Sequence, residues 1–194
     1  MNVIGFDDGP FAREHRGDVL LVGVVASGTR VDGIVSGKIR RDGATSTATI
    51  AELVRRSGSG AQAVLLHGIA VGGFNVVDIH ALAIDLGVPV LVTLRRPPDL
   101  AAVKRALARV PGAARKWRLI EAAGAIEELL PSRRASQAGK DAGPRVFVQR
   151  AGMSLEEARN VVRATTLHGN IPEALRVAHL VAGGVVTGKS RGRA

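Results

Sequence analysis

Three strand-like segments precede the first helix-like segment, and this order limits the possible folds more than any other feature of the sequence. Residues 3–8 form a short apolar run that ends in two carboxylates, residues 19–26 are apolar throughout, and residues 30–39 form a third run. Only a short turn containing Gly28 separates the second run from the third, which predicts an antiparallel hairpin. The chain therefore begins with a meander of three strands.

Helices and strands alternate after the meander. Thr45 or Ser46 is a suitable N-cap for a helix that reaches Arg56, and residues 61–66 then form a buried strand. Asn75 is expected to cap a helix that ends at Leu86, before another strand at residues 88–94. Strands that return through helices pair in parallel. This order matches the ribonuclease H-like fold, a mixed sheet flanked by helices.

The remainder of the chain is expected to complete a single domain over residues 1–194. The pattern predicts helices at 99–110 and 113–130, with Gly124 as a candidate break in the second helix. It then predicts a mobile basic loop at about 131–144, a last strand at 145–149, a helix that begins at Ser154 and a final helix over 172–182. Later strands are expected to be parallel to the earlier ones.

The charge of the chain favours a partner that carries phosphates. Lys and Arg number 27 against 17 Asp and Glu, for a net charge of +10, and nucleic acid, with DNA preferred, is the expected partner. The alternative is a basic surface without such a partner. The lack of Cys excludes disulfides and cysteine nucleophiles. We expect a cytoplasmic protein with neither a signal peptide nor a membrane span.

Asp7 and Asp8 end the first strand and are the leading candidates for holding a metal ion. An Asp-rich turn before Gly9-Pro10 is the simpler explanation of the same residues. In the ribonuclease H-like fold, however, the ends of the first and fourth strands lie side by side. Mg²⁺ is usually held by one or two carboxylates with water and substrate phosphate. The two side chains point to opposite faces of a strand, and the sequence does not favour one over the other.

His67 ends the fourth strand, where this fold usually carries a carboxylate. A neutral imidazole binds Mn²⁺ or a softer ion, and it suits Mg²⁺ poorly. His67 could also act as a general base, or it could simply terminate the strand.

A glycine-rich corner follows His67. Gly72, Gly73 and Phe74 could let a nucleic-acid strand approach the backbone. Asn75 is a candidate for substrate binding, and Asp78 is a candidate for metal binding and catalysis. Helix capping by Asn75 and Asp78 explains both residues without any function.

Three basic residues complete the set of candidates. Arg96 follows the strand at 88–94, and Arg176 and His179 share one face of the last helix because they are three residues apart. They are plausible contacts for phosphate groups, although solvated charges would look the same.

Several separated motifs resemble one known family. The segments are GFDDGPF at 5–11, GGFNVVD at 72–78, NIPEALRVAH at 170–179 and SRGRA at 190–194. They are similar to the archaeal endonuclease V-like family, also called the endonuclease dU family, which was long a domain of unknown function. This resemblance implies a ribonuclease H-like fold, a Mg²⁺ or Mn²⁺ cofactor and nicking of DNA near deaminated bases such as deoxyuridine.

One position departs from the family pattern. The family usually has Asp-Gly where this chain has His67-Gly68, so the resemblance implies a fourth-strand carboxylate that is missing here. Asp7, Asp8, Asn75 and Asp78 match the motif positions. Two functions follow: a metal-dependent endonuclease, or a nucleic-acid-binding protein on the same fold whose catalysis is impaired. A third option is a mononucleotide-binding α/β protein that uses the glycine-rich corner.

Overall fold

A computed structural model describes residues 1–129 and 145–191 of the chain. The basic loop predicted at 131–144 lies outside the described residues, as do residues 192–194 of the last motif.

A seven-stranded mixed sheet organises the described chain, with a two-stranded ribbon beside it. The order across the sheet is β3-β2-β1-β4-β7-β9-β8, and β5 pairs with β6 in the ribbon. The strands are β1 (Asn2–Asp8), β2 (Asp18–Ser27), β3 (Arg30–Arg40), β4 (Ala63–His67), β5 (Ala70–Val71), β6 (Asn75–Val76), β7 (Val90–Leu94), β8 (Glu127–Leu129) and β9 (Val146–Ala151).

Six helices occur within the described residues. They are α1 (Ser46–Ser57), α2 (Ile79–Leu86), α3 (Leu100–Leu107), α4 (Ala113–Ala122), α5 (Leu155–Thr165) and α6 (Glu173–Thr187). The mixed sheet with flanking helices confirms the predicted fold class. No helix in these two stretches is long and apolar enough to cross a membrane.

Strand pairing follows the prediction in the first half of the chain and departs from it in the second. β1, β2 and β3 form the antiparallel meander, and β4 pairs in parallel with both β1 and β7. The prediction that later strands would be parallel is wrong for β9, which is antiparallel to both β7 and β8. The chain between β7 and β9 contains two helices and β8, so it does not form a single strand-helix-strand crossover.

Three helix boundaries differ from the sequence prediction. α2 begins at Ile79 with Asp78 as its N-cap, because Asn75 belongs to β6. α4 ends at Ala122 and not at residue 130, next to the candidate break at Gly124, whose φ of 82° is a left-handed conformation that ends a helix. α6 continues to Thr187, beyond the predicted end at residue 182.

Helices cover both faces of the sheet, and the side chains of β1 alternate between two cores. Ile4 and Phe6 pack in the core formed with α1 and α2. Val3 packs in the other core, with residues of α5 and α6. Because successive side chains point to opposite faces of a strand, this alternation also decides which face each of the two aspartates at the end of β1 occupies.

Candidate metal centre at the C-terminal edge of the sheet

Five strands of the described chain end along one edge of the sheet, which we call the C-terminal edge, and β8 is one of them, ending at Leu129. β1 ends there at Asp8, β3 at Arg40, β4 at His67 and β7 at Leu94, since β1, β4 and β7 are parallel and β3 runs in their direction through two antiparallel pairings. Loops after parallel strands are common locations for ligand sites.

Asp7, His67 and His179 converge at this edge. Oδ2 of Asp7 lies 3.1 Å from Nδ1 of His67 and 2.9 Å from Nδ1 of His179. One ligand atom from each residue lies within 4.8 Å of the others, a spacing compatible with a shared metal ion. The side chains are 8%, 25% and 50% exposed, respectively, so the cluster is rooted in the core and open towards solvent at His179.

The register of β1 against β4 brings the first two of these residues together. Phe6 pairs with Leu66, so Asp7 and His67 are the next residues of two adjacent parallel strands. Val3 of β1 and Leu65 of β4 belong to the core beneath α6. Alternation therefore directs Asp7 and His67 to the α6 side of the sheet.

Close packing of α6 on β1 brings in His179. A Cβ atom added to Gly5 would lie 2.9 Å from Cβ of Ala174, so α6 approaches β1 at a distance that only glycine permits. Ala174 and Ala178 are fully buried, and His179 follows Ala178 at the level of Asp7. His179 was expected to bind substrate, and its position beside Asp7 also makes it a candidate metal ligand.

Asp8 occupies the opposite face and is not a member of the cluster. Burial and the neighbouring Asp7 carboxylate raise the pKa of Asp8 from 3.8 to about 6, while a hydrogen bond from the backbone of Gly72 opposes this shift. The backbone N–H of Asp8 donates to Oδ1 of Asp7 at 3.0 Å. Asp8 thus helps to orient Asp7 through its backbone, and its carboxyl group faces the glycine-rich corner.

Asp78 and Asn75 have structural roles. Oδ1 of Asp78 accepts a hydrogen bond from the backbone N–H of Ala81 at 2.9 Å and caps α2, and Asp78 is not among the groups that converge on Asp7. Asn75 is fully buried, and its Oδ1 accepts from the backbone N–H of Ser46 at 3.0 Å. In this structure the carboxylate of Asp78 is engaged as a cap and the amide of Asn75 joins β6 to α1.

The glycine-rich corner is held in place by Asp42, which has a left-handed backbone with a φ of 53°. Its Oδ1 accepts from the backbone N–H of Phe74 at 2.8 Å, and its own N–H donates to the carbonyl of Gly72 at 2.9 Å. A Cβ atom on Gly73 would lie 2.5 Å from Oδ1 of Asp42, so this packing requires glycine. Lys116 of α4, which is 2% exposed, donates to the carbonyl of Asp42, and burial lowers the pKa of this lysine.

Arg41 fixes the loop on the other side of the C-terminal edge. Its guanidinium donates to the carbonyls of Arg13 and His15 at 2.6 Å each and lies over the ring of Phe11, 5.1 Å from the ring centre. Its Nε lies 3.2 Å from Oδ2 of Asp42. Arg41 and Asp42 together connect the loop after β1 to the corner after β4.

The other two basic candidates, Arg176 and Arg96, are not members of the Asp7 cluster. Arg176 forms an ion pair with Glu173 and lowers the pKa of that buried carboxyl group. Arg96 is exposed in the loop after β7, at the C-terminal edge.

Phe74 lines an apolar pocket of about 620 Å³ beside the corner, together with Ile69, Leu94 and Trp117. Ile69 follows β4 and Leu94 ends β7, so the pocket lies at the C-terminal edge, and both residues pack against the core formed with α1 and α2. Sequence reasoning did not find this pocket, because its walls come from separate segments and apolar side chains alone carry no signal for a site.

Comparison with known proteins agrees with this architecture. A UPF0215 protein of Deinococcus radiodurans is 49% identical over 99% of this chain and 92% of its own length. The solved structure of a protein of unknown function from Archaeoglobus fulgidus has a TM-score of 0.80 and 30% identity, covering 96% of this chain and 98% of that one. Endonuclease V of Ciona intestinalis, solved with a DNA that contains an inosine followed by a ribo-adenosine, has a TM-score of 0.56 and 14% identity over 91% of this chain and 82% of that one.

The fold is therefore that of the endonuclease V-like α/β proteins, with a candidate metal site at the C-terminal edge of the sheet. The chain belongs to the endonuclease dU family, whose model matches residues 1–186. This confirms the resemblance inferred from the sequence motifs, and the relative in Deinococcus shows that the similarity extends beyond archaea.

Proposed function

We propose that this protein is a metal-dependent endonuclease that nicks DNA at or near deaminated bases such as deoxyuridine. The observation that carries the proposal is the convergence of Asp7, His67 and His179 on a common point at the C-terminal edge. Membership of the endonuclease dU family and an endonuclease V-like fold support the same conclusion.

The donor set of the cluster fits a divalent cation. Asp7 supplies the single carboxylate, and His67 and His179 each supply a ring nitrogen. A divalent ion at this position would supply Lewis-acid stabilisation of charge on the phosphodiester and the means to activate water. Three protein ligands leave coordination positions for substrate, and the half-exposed side chain of His179 leaves the site accessible from solvent.

Basic residues at the same edge would hold the DNA backbone. Arg96 is exposed in the loop after β7, and Arg40 is 63% exposed at the end of β3. Together with a net charge of +10, these side chains favour a polyanion whose affinity falls as salt concentration rises. Gly72 and Gly73 would let the DNA strand approach the corner that Asp42 holds.

The apolar pocket beside Phe74 would receive the altered base. Enzymes that act on a single base commonly take it out of the stack, and flipped bases stack between aromatic and apolar side chains. The pocket volume of about 620 Å³ and the rings of Phe74 and Trp117 provide such a surface. The pocket walls Ile69 and Leu94 pack against the core formed with α1 and α2, whereas Asp7 and His67 point to the α6 side, so the DNA would have to cross the C-terminal edge to contact both.

The test is nicking of labelled duplexes that contain a single deoxyuridine or deoxyinosine, with an unmodified duplex as the matched substrate. We expect cleavage with Mn²⁺, loss of cleavage with a chelator and loss in Asp7→Asn. Salt-dependent binding of DNA without nicking under any metal, in protein shown to be folded, would instead favour the impaired binding protein. Tight mononucleotide binding without strand binding would favour the nucleotide-binding alternative.

A further inference from the structure

We infer that the site formed by Asp7, His67 and His179 selects Mn²⁺ and other transition-metal ions over Mg²⁺. This inference rests on the metal site of the proposed function and specifies which class of ion it takes. The sequence already placed one imidazole at the end of β4, and the structure adds a second, from α6, on the same oxygen of Asp7.

Two of the three ligands are therefore imidazoles. Mg²⁺ is a hard ion that takes carboxylate, phosphate and water oxygens. Imidazole suits Mn²⁺ less than it suits Co²⁺ or Zn²⁺, but suits all three better than Mg²⁺. For a ligand set with two ring nitrogens and one carboxylate, we therefore expect the binding affinity to increase from Mg²⁺ to Mn²⁺ to Co²⁺.

The neighbouring oxygen donors form hydrogen bonds elsewhere and do not belong to the cluster. The carboxylate of Asp78 caps α2 by accepting from Ala81. Asp8 faces the opposite side of the sheet, where the backbone of Gly72 binds it. The amide oxygen of Asn75 is fully buried and accepts from Ser46. Within residues 1–129 and 145–191, Asp7 is thus the one carboxylate of the three-residue cluster.

The three ligands are also rigidly supported, so the site cannot easily replace an imidazole by rearrangement. Asp7 and His67 are adjacent on paired strands, and Oδ1 of Asp7 is bound by the backbone of Asp8. His179 lies on a helix whose approach to β1 is fixed by contact between Gly5 and Ala174. A site on rigid elements keeps the ligand set that the sequence provides.

The inference is tested by metal binding, independently of DNA cleavage. Tag-free protein, freed of metal with a chelator, is titrated calorimetrically with Mg²⁺, Mn²⁺ and Co²⁺, and Co²⁺ binding is also followed by its visible absorption. We expect Mn²⁺ to bind at least about tenfold more tightly than Mg²⁺, and Co²⁺ more tightly than Mn²⁺. His67→Asp should lower the ratio of Mn²⁺ to Mg²⁺ affinity by about tenfold, because it exchanges a nitrogen ligand for an oxygen ligand.

His80→Gln is the matched control. His80 is an exposed histidine of α2 whose Nε2 lies 3.0 Å from the carbonyl of Ala122, so its loss should leave all three affinities unchanged. Equal or tighter binding of Mg²⁺ by the unaltered protein, or an unchanged ratio in His67→Asp, would overturn the inference. Failure to bind any of the ions in folded protein would overturn both the inference and the metal dependence of the proposed nuclease. If the protein binds the ions in the expected order but does not nick DNA, the inference about metal selection holds and only the proposed nuclease activity is refuted.

Discussion

Nδ1 of His179 lies 2.9 Å from Oδ2 of Asp7 although 172 positions separate the two residues along the chain. This contact joins the first strand to the last described helix at the point where β4 delivers His67. As a result, the carboxylate of Asp7 and the two imidazoles of His67 and His179 lie together, and these three groups could hold a metal ion.

Replacement of His179 by Ala is expected to abolish most of the nicking activity. The change removes one of the three groups at the site, and metal affinity should fall by at least about 100-fold. Losses of up to about 100-fold occur when a residue that hydrogen-bonds to a metal ligand is replaced, and loss of a ligand itself should cost at least as much. Nicking of a deoxyuridine duplex is measured over a range of Mn²⁺ concentrations, with His80→Gln as the control. Unchanged metal dependence in His179→Ala would remove this residue from the site.

Asp8→Asn is expected to stabilise the metal-free protein at neutral pH. The folded-state pKa of Asp8 is about 6, above the value of 3.8 for an unburied group. The carboxyl group therefore disfavours folding once it ionises, by an amount that grows from about pH 4 to pH 6 and is constant above. A shift of this size corresponds to at most about 3 kcal/mol in the free energy of unfolding.

Urea unfolding with a chelator present, at several values between pH 4 and pH 8, measures this effect. The variant and the unaltered protein should have similar stabilities near pH 4 and diverge as the pH rises. Parallel profiles would show that burial does not raise the pKa of Asp8 in solution.

Gly5→Ala is expected to weaken both the fold and the proposed metal site. The added methyl group would lie 2.9 Å from Cβ of Ala174, and the resulting displacement of α6 should cost about 1–3 kcal/mol in the free energy of unfolding. Because α6 carries His179, Mn²⁺ affinity should fall as well. The matched control is Gly33→Ala in β3, where the nearest atom, in Val25, is 4.0 Å from the added methyl group. Equal stability and Mn²⁺ affinity in the two variants would contradict the close-packing argument.

Asp42→Ala is expected to be more damaging than Asp42→Asn. Alanine leaves the backbone N–H of Phe74 without its acceptor and places a non-glycine residue without a polar side chain at a φ of 53°. Loss of the hydrogen bond costs about 1–3 kcal/mol, whereas Asn keeps an acceptor and tolerates the left-handed conformation. Urea unfolding gives the stability difference, and DNA affinity reports on the glycine-rich corner. The role of Asp42 would be refuted if the two variants were equally stable.

The sequence predicted the elements that depend on local pattern and missed those that depend on tertiary contacts. The meander, the strand that ends in Asp7-Asp8 and the helix carrying His179 were all predicted. β8 was missed because its three residues include two glutamates and show no apolar alternation. β9 was predicted as a strand at 145–149, but its antiparallel direction was not, because pairing direction depends on how the intervening segment folds.

Asn75 and Asp78 illustrate the same limit within the site. Both residue types are good N-caps, and they are three positions apart, so local preference cannot decide which one begins α2. The contact of Asn75 with the backbone of Ser46, 29 positions away, decides it. Nor could pattern alone indicate that His179 would reach Asp7, since this depends on how α6 is placed along β1.

The contact between Gly5 and Ala174 has a consequence for the order in which the protein is made. Two of the three ligand groups are available once β4 has paired with β1, but the third arrives only after α6 has been synthesised and has docked beside Gly5. Domains fold as their chains emerge during translation, so a partly translated chain holds an incomplete site. A chain in which α6 has not yet docked on β1 therefore has only two of the three groups that the proposed metal site requires.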